Sequence, residues 1–411
     1  MTVWYVFSRF PAPSETFAGT DLRALRRLGV SVRAVNLRPA HPRAAELLRE
    51  WDLVGLEVDS VTPGKLLAGL GAMLRQPARL SWLLRVIFAD NWRRPEQVFK
   101  SLLALPRVFQ IHRQLAADPP EVLHLFWGHY AALLGLLVRR THPEVVVTQF
   151  LGAYDLRTEY RTSIRLARVA HAVFTHARAN VAVLARTGVD AARVRVVYRG
   201  MDLERFQYDG RPKTPGRVAT AGRLVADKGM AEVLEAFARV QRELPSASLC
   251  LIGDGPERTA LERRARALGL RGVEFTGYLP HREVFERLCA AEVFLFLSWS
   301  QSEHLPNVVK EAMAARCACV VSRTTGIEEL VAPGQWGLVV EARDTEAAAA
   351  GVLHLLQAPD MREQFADHAL AHLREHFDAQ ASMRRYREIW EACQTGSGGE
   401  SRGVVQAAGT R

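Results

Sequence analysis

Two cations, Arg223 and Lys228, stand five residues apart in the stretch "AGRLVADKGM" (221–230). The run before them predicts a strand that ends at Gly222, and the run after them predicts a helix. Its apolar stripe comprises Met230, Val233, Leu234, Phe237 and Val240. Cations at the carboxyl end of a parallel strand, beside a helix N-terminus, are well placed to bind a diphosphate. The alternative is that both are solvated cations on an ordinary loop.

Two carboxylates, Glu303 and Glu311, stand eight residues apart in "SQSEHLPNVVKEAMAAR" (300–316). Pro306 is expected at the first position of a helix, where free N–H groups favour an anion. A carboxylate can accept two hydroxyl hydrogen bonds at once, so both glutamates suit hydroxyl recognition. Together with the two cations they suit a sugar nucleotide, whose middle is anionic and whose ends carry hydroxyl groups. The alternative is that both carboxylates are solvated.

A glycine-rich turn follows another apolar run in "LIGDGPE" (251–257). Gly253 and Gly255 allow a sharp turn that exposes backbone N–H groups, and Pro256 suits the first position of a helix. The alternative is a plain strand-to-helix turn that Asp254 caps.

Short apolar runs alternate with helical patterns along the chain. Strands are predicted over residues 3–7, 32–37, 121–126, 144–150, 172–176, 193–198, 217–222, 247–253, 272–277, 291–298 and 317–322. Nearly continuous apolar strands suit parallel sheets that are buried on both faces. The pattern therefore predicts an α/β fold with two βαβ domains.

The polar, Gly- and Pro-rich stretch 200–217 predicts a hinge between these domains. We expect an N-terminal domain over 1–205 and a C-terminal domain over 206–375. A last helix over 376–393 is expected to return to the N-terminal domain. The Gly- and Ser-rich tail over 394–411 is expected to be loose.

Residues 61–115 break the alternation and carry most of the excess positive charge. The chain has 54 Lys and Arg against 44 Asp and Glu, and this stretch has nine against two. Apolar clusters such as "LLAGLGAML" lie between its cations, which predicts a helical insertion that binds an anionic membrane surface. The alternative is a pair of core helices with a solvated basic face. A nucleic-acid partner is not expected, because no nucleic-acid-binding motif or stacking aromatic platform accompanies the charge.

Two further features bear on location. No run of about 18 apolar residues occurs, so no transmembrane helix is expected. The five cysteines lack CxxC spacing, which argues against a disulfide framework or a zinc site and favours a reducing cytosol. We expect a cytoplasmic protein, peripheral on the inner face of the plasma membrane.

Several motifs stand in a fixed order between residues 196 and 345. They are "VVYRGMDLERF" (196–206), Gly222-Arg223-Leu224 with Lys228-Gly229, Gly253-Asp254-Gly255-Pro256, "SQSEHLPNVVKEAMA" (300–314) and "TTGIEELV" (324–331). In this order and spacing they resemble the C-terminal domain of retaining GT-B glycosyltransferases of family 4, with Ser300 as the family serine. The opening "FSRFPAPSETF" (7–17) resembles that of exopolysaccharide and colanic-acid-type members. The resemblance implies a GT-B fold: two Rossmann-like domains, for acceptor and donor, with a cleft between them.

The resemblance also implies a role for each matching residue. Arg223 and Lys228 would hold the donor diphosphate. Glu311 would bind the ribose hydroxyls, and Glu303 the donor sugar. The residues implied in donor binding are Ser14, Glu15, Thr16, Gly152, Gly222, Arg223, Lys228, Gly253, Glu303, His304, Leu305, Pro306, Asn307, Val308 and Glu311.

Three positions depart from the family pattern. His304 replaces a usual glycine, Phe126 replaces a usual histidine in "HLFWGH" (124–129), and "QFLGAYDL" (149–156) lacks another histidine. His124 and His129 flank Phe126 and join the catalytic candidates. For His124 the alternative is a satisfied histidine within a strand. The candidates implied in catalysis are Arg223, Lys228, Glu303, His129 and His124.

The implied activity is transfer of a sugar with retention of configuration, in surface polysaccharide assembly. A UDP-sugar is favoured over a GDP-sugar as donor, and neither a metal nor a cofactor is expected. The acceptor would be a saccharide, and a polyprenyl-diphosphate link would account for the charge and apolar residues of the insertion. The alternatives are a soluble small-molecule acceptor and a non-catalytic sugar-nucleotide-binding protein.

Overall fold

A computed structural model of the chain describes residues 1–13, 15–158 and 160–396. The chain divides into two units. The first unit comprises Met1–Gly200 and the segment that begins at Ala379, and the second unit comprises Met201–Asp378. The sequence placed the two boundaries at 205/206 and 375/376, a few residues away. Most of the tail predicted to be loose, 397–411, lies outside the described residues.

The first unit is built on one parallel sheet of seven strands in the order β3-β2-β1-β4-β5-β6-β7. Its strands are β1 Thr2–Phe7, β2 Ser31–Asn36, β3 Glu57–Asp59, β4 Val122–Leu125, β5 Val146–Phe150, β6 Ala172–Thr175 and β7 Val194–Val196. Its helices are α1 Thr16–Arg27, α2 Ala44–Glu50, α3 Pro63–Leu74, α4 Pro77–Asn91, α5 Pro95–Ala117, α6 Ala132–Thr141, α7 Ala153–Thr158, α8 Arg161–Ala167, α9 Ala179–Arg186 and α16 Ala379–Gln394.

Both faces of this sheet are buried, as continuous apolar strands require. Trp4 and Val6 of β1 join one core, and Val3, Tyr5 and Phe7 join the core on the opposite face, because successive side chains alternate. The C-terminal helix α16 covers the second of these cores. Its fully buried Trp390 donates a hydrogen bond from Nε1 to Thr148 Oγ1 at 3.1 Å.

The second unit repeats the plan with six parallel strands in the order β10-β9-β8-β11-β12-β13. Its strands are β8 Arg217–Ala221, β9 Ser248–Ile252, β10 Val273–Phe275, β11 Val293–Phe296, β12 Ala318–Ser322 and β13 Leu338–Val340. Its helices are α10 Met230–Glu243, α11 Arg258–Ala267, α12 His281–Cys289, α13 Asn307–Ala314, α14 Thr345–Gln357 and α15 Pro359–His376. The five residues of the predicted α10 stripe are all buried, which confirms that prediction.

Three successive helices, α3 to α5, occupy 63–117 between β3 and β4. They are the predicted helical insertion. Within the part of the chain that the structure describes, no helix is long and apolar enough to cross a membrane.

In both sheets the order of strands reverses beside the first strand, between β1 and β4 and between β8 and β11. Open parallel sheets bind ligands at the carboxyl ends of the strands next to such a reversal. A ligand-binding site is therefore expected at the loops after β1, β4, β8 and β11.

Candidate functional site

The loop that carries Lys228 leaves the sheet of the second unit directly after β8. It closes in a short 3-10 turn, Ala226–Lys228, and then reverses at Gly229, whose φ is 70°. A Cβ at Gly229 would stand 1.9 Å from the carbonyl oxygen of Leu297. Only glycine therefore lets this loop lie against the end of β11.

Hydrogen bonds from the segment after β11 hold the Lys228 loop. The carbonyl oxygen of Asp227 accepts from the backbone N–H of Trp299 at 3.0 Å and from the hydroxyl of Ser298 at 3.1 Å. Lys228 Nζ forms an ion pair with a carboxylate oxygen of Glu303. The Lys228 and Glu303 side chains are 20% and 15% exposed, so the pair is largely enclosed but open to a ligand.

Arg223 lies on the same loop with an exposed side chain. Within the described residues its guanidinium has no hydrogen bond or ion pair, whereas Lys228 is paired. The two residues predicted to bind the diphosphate therefore differ in their contacts. Arg223 is available to an anion without displacing a protein partner, whereas Lys228 is not.

The glycine turn after β9 packs directly on the Lys228 loop. Gly253 has a φ of 134°, and a Cβ there would stand 2.0 Å from the carbonyl oxygen of Gly222. The backbone N–H of Leu224 donates to the carbonyl oxygen of Asp254 at 2.9 Å. The predicted helix start at Pro256 is wrong: α11 begins at Arg258, and Asp254 accepts from the N–H of Gly255 rather than capping the helix.

Glu311, in the second turn of α13, is paired with a residue that the sequence analysis did not single out. Its Oε1 lies 2.8 Å from Nε2 of His281, and the Glu311 side chain is 12% exposed. The ring of Phe206 packs on the His281 ring with centroids 4.7 Å apart. His281 begins α12, after β10. The sequence signal that could have indicated His281 is a polar residue at the end of the loop between β10 and α12.

The start of α13 differs by one residue from the prediction. Pro306 is the N-cap, and the helix begins at Asn307. The first-turn N–H groups, those of Asn307 and Val308 among them, have no carbonyl partner within the helix and are suited to an anion. His304 and Leu305 are buried just before this turn. Burial lowers the pKa of His304, which favours a neutral imidazole where the family pattern has glycine.

In the first unit, a buried carboxylate joins the loops after β4 and β5. Asp155 accepts from the backbone N–H groups of Gly128 and Gly152, each at 3.0 Å. His129 Nε2 lies 3.3 Å from Asp155 Oδ1, and the His129 side chain is 25% exposed. His129 stacks on Tyr154 with ring centroids 5.8 Å apart. This partly open, carboxylate-anchored imidazole remains a catalytic candidate.

His124 is excluded as a catalytic candidate. It is 1% exposed, and its Nδ1 forms a hydrogen bond with Thr148 Oγ1 at 2.9 Å. The rings of Tyr5 and Trp390 enclose it at centroid distances of 4.5 and 5.6 Å. Burial lowers its pKa to about 3. A side chain under the C-terminal helix cannot reach a substrate, so the alternative of a structural strand histidine holds.

The predicted contacts after β1 lie at the start of α1. Glu15 is the N-cap residue and Thr16 the first residue of the helix, while Ser14 lies outside the described residues. Glu15 Oε1 accepts a hydrogen bond from Trp127 Nε1 at 3.2 Å, and burial raises the pKa of this carboxyl. Gly152, after β5, leaves room for His176, whose Cε1 would be 3.2 Å from an added Cβ.

Comparison with known proteins finds a family match in the second unit and relatives with named activities. Residues 203–372, nearly the whole second unit, match the family model described as Glycosyl transferases group 1. A glycogen synthase of Mycobacterium tuberculosis is 28% identical over 279 residues, 62% of this chain and 67% of the relative. The lipopolysaccharide core biosynthesis glycosyltransferase LpsE of Rhizobium meliloti is 27% identical over 271 residues, 62% of this chain and 77% of the relative.

Among solved structures, HepE of Anabaena in complex with UDP superposes with a TM-score of 0.73 at 16% identity, over 95% of this chain and 100% of that one. The predicted fold class, α/β with two Rossmann-like domains of the GT-B kind, is confirmed. The family match and the relatives together support a glycosyltransferase with the GT-B fold.

Proposed function

We propose that the protein is a retaining, family 4-like glycosyltransferase that moves a hexosyl group from a nucleotide sugar to a saccharide acceptor in surface polysaccharide assembly. The observation that carries the proposal is the Lys228–Glu303 pair on the loops after β8 and β11. A cation beside a carboxylate at this edge of the sheet offers one group for a phosphate and one for a sugar hydroxyl.

Donor binding would break the ion pair between Lys228 and Glu303. Lys228 turns to the diphosphate together with Arg223, which already has an exposed guanidinium. Glu303 is then left to accept from hydroxyl groups of the donor sugar. Glu311, held by His281 at 2.8 Å, is placed to accept from the two ribose hydroxyls.

The chemistry assigned to this site is stabilisation of the leaving diphosphate. Negative charge grows on its bridging oxygen as the sugar bond breaks, and Arg223, Lys228 and the N-terminus of α13 stabilise that charge. In a reaction with retention, the leaving oxygen takes the acceptor's proton on the same face of the sugar. These cations carry the charge in the proposal, which therefore assigns no step to a metal or a cofactor.

Two relatives support the choice of substrates. HepE has been solved with UDP and with UDP-glucose, which favours a UDP-sugar donor here. LpsE is named for lipopolysaccharide core biosynthesis, which favours a saccharide of the cell surface as acceptor. A polyprenyl-diphosphate-linked saccharide at the cytoplasmic face of the membrane completes the proposal.

Nucleotide binding by wild type and Lys228→Ala tests the proposal. Titration calorimetry with UDP should show affinity reduced about ten- to hundredfold, since a hydrogen bond to a charged group contributes about 1.5–3 kcal/mol. Arg263→Ala, an exposed cation elsewhere in the second unit, is the matched control and should bind as wild type. Equal affinity in wild type and Lys228→Ala would remove Lys228 from the site.

A second measurement separates catalysis from binding alone. A thermal-shift panel of UDP-, GDP- and ADP-sugars identifies the donor. Proton NMR of the product formed with that donor then reports the anomeric configuration. Tight donor binding with neither transfer nor hydrolysis would favour the non-catalytic alternative, and an inverted product would overturn retention.

A further inference from the structure

Exposed apolar side chains are concentrated on the helical insertion. Among the described residues, seven of the twelve large apolar side chains that are exposed lie on α3 to α5 or directly after α4. They are Leu67, Leu70, Leu74, Phe88, Trp92, Phe99 and Leu103, with 40% to 72% of each exposed. The three helices that carry them pack on one another, and we call this set the apolar surface. Exposed apolar groups that are concentrated in this way, unlike single scattered ones, mark binding surfaces.

Helix α3 is apolar on two opposite sides. Gly69 and Ala72 are buried, and a Cβ at Gly69 would stand 1.9 Å from the carbonyl oxygen of Pro106 in α5. This close approach fixes which side of α3 faces the protein. Leu67, Leu70 and Leu74 follow one another at spacings of three and four on the side turned away. Folding of the unit therefore leaves them uncovered.

The other two helices add aromatic groups. Phe88 and Trp92 stand four residues apart at the end of α4, and Phe99 and Leu103 stand four apart in α5. Trp92 is 64% exposed. Tryptophan and phenylalanine beside leucine suit the boundary between lipid headgroups and acyl chains.

Cations rather than acids accompany the apolar surface. Arg75, Arg85 and Arg93 are exposed, and the Arg93 guanidinium lies 4.9 Å from the centre of the Trp92 ring. The two acids of the stretch are engaged, Asp90 by Arg165 and Glu96 by Lys100.

Not every cation of the insertion contributes to this surface. Arg107 is buried and pairs with Asp59, which also binds Lys65. The number of exposed positive charges is therefore smaller than the sequence count suggested, but their sign is unchanged.

We infer that the apolar surface of α3–α5 docks on an anionic lipid bilayer, with Arg75, Arg85 and Arg93 at the headgroup phosphates. The positive charge of this surface favours an anionic bilayer over a second copy of the chain as its binding partner. A second copy of the chain would bring the same cations together, whereas a bilayer with anionic lipid complements them. The inference does not depend on the proposed sugar transfer.

Co-sedimentation with vesicles tests the inference on the full chain. Wild type should pellet with vesicles that contain phosphatidylglycerol and stay in the supernatant with pure phosphatidylcholine. Raising the salt from about 0.1 M to about 1 M should release it, since the Debye length falls from about 10 Å to about 3 Å.

Two variants separate the apolar and the electrostatic parts. Leu67→Gln/Leu74→Gln/Trp92→Gln should lose most of the bound fraction. Arg75→Gln/Arg93→Gln should weaken partitioning about 25-fold, from about fivefold per cation. The matched controls are Val169→Gln/Leu268→Gln, exposed apolar residues elsewhere, and Arg263→Gln/Arg266→Gln, exposed cations of the second unit. Both controls should bind as wild type.

Three outcomes would overturn the inference: wild type that ignores anionic vesicles at low salt, apolar variants that bind like their controls, or equal binding to neutral vesicles. A dimer in ultracentrifugation that the apolar variant converts to a monomer, with no vesicle binding, would assign the surface to a second copy. Circular dichroism and thermal melting of each variant show whether the substituted first unit is folded, and the cation variant tests docking with every apolar contact in place.

Discussion

Glu303 and Glu311 belong to two separate pairs, one with Lys228 and one with His281. Spacing along the sequence was enough to propose both carboxylates and the lysine, because each follows a strand whose carboxyl end is easy to recognise. Spacing could not show which residues pair with the two glutamates. His281 follows a different strand, β10, and only the folded sheet brings that loop to α13. His124 failed for the complementary reason, since no local pattern shows that a distant C-terminal helix covers it.

The two glutamates should respond differently to mutation. Glu311→Ala should weaken binding of free UDP, because it removes the proposed ribose acceptor. Glu303→Gln should impair transfer yet leave UDP affinity unreduced, because the neutral amide weakens the sugar contact and frees Lys228. Calorimetry with UDP and a transfer assay measure the two effects.

His281 tests the pairing itself. His281→Ala should lower UDP affinity by a smaller factor than Glu311→Ala, and His281→Gln, whose amide can still donate, should restore part of it. Glu283→Ala, an exposed carboxylate in the first turn of α12, is the matched control. If Glu303→Gln and Glu311→Ala both match this control in UDP affinity and transfer, the two carboxylates are solvated and do not contact the donor.

At the scale of elements, the predicted strands were the reliable part. Apolar runs recovered β1, β2 and β4 to β12, whereas β3 and β13, three residues each, were missed. β7 and β10 are equally short edge strands and were recovered, so length alone does not explain the two misses. Helix starts shifted by one residue at α13 and by two at α11, where the N–H of Glu257 donates to the carbonyl oxygen of Leu224 at 3.1 Å before the helix begins.

The Lys228 loop depends on one glycine, and a second glycine provides its control. Gly229 and Gly269 have similar φ values, 70° and 67°. An added Cβ would meet the carbonyl oxygen of Leu297 at 1.9 Å in the first case and nothing within 4 Å in the second. In both variants the alanine must adopt the left-handed conformation, which costs about 1–2 kcal/mol of stability. Only in Gly229→Ala must the loop also move away from β11.

We therefore expect Gly229→Ala to lose more stability than Gly269→Ala and, unlike it, to lose UDP binding. Thermal melting and calorimetry give the two quantities. Equal affinity for UDP in both variants would mean that the packing of this loop on β11 does not position Lys228.

At the scale of the whole molecule, strand and helix alternation predicted two parallel α/β sheets, and the structure has two. The insertion was predicted as helical and basic, but the choice between a membrane surface and a pair of core helices needed the exposed side chains. The sequence shows that α3 is apolar. Only packing against Pro106 shows which side of it remains uncovered.

Three histidines should make the first unit sensitive to acid. Burial lowers the pKa of His112 to about 4, of His124 to about 3 and of His171 to about 4. An unfolded histidine takes up its proton near pH 6.5. Between pH 6.5 and about 4 the unfolded state therefore binds more protons than the native state. Stability falls as the pH falls through this window, by up to about 1.4 kcal/mol per pH unit for each fully buried histidine and by less for the partly exposed His171.

Calorimetric melting at a series of pH values between about 7.5 and 5 measures this slope. His124→Gln removes one of the three groups, so it should flatten the pH dependence of the first unit by about one proton, whatever it does to stability at neutral pH. His354→Gln, an exposed histidine of α14 in the second unit, should leave the slope as in wild type. An unchanged slope in His124→Gln would show that this imidazole is protonated in the native state, which its enclosure by Tyr5 and Trp390 should prevent.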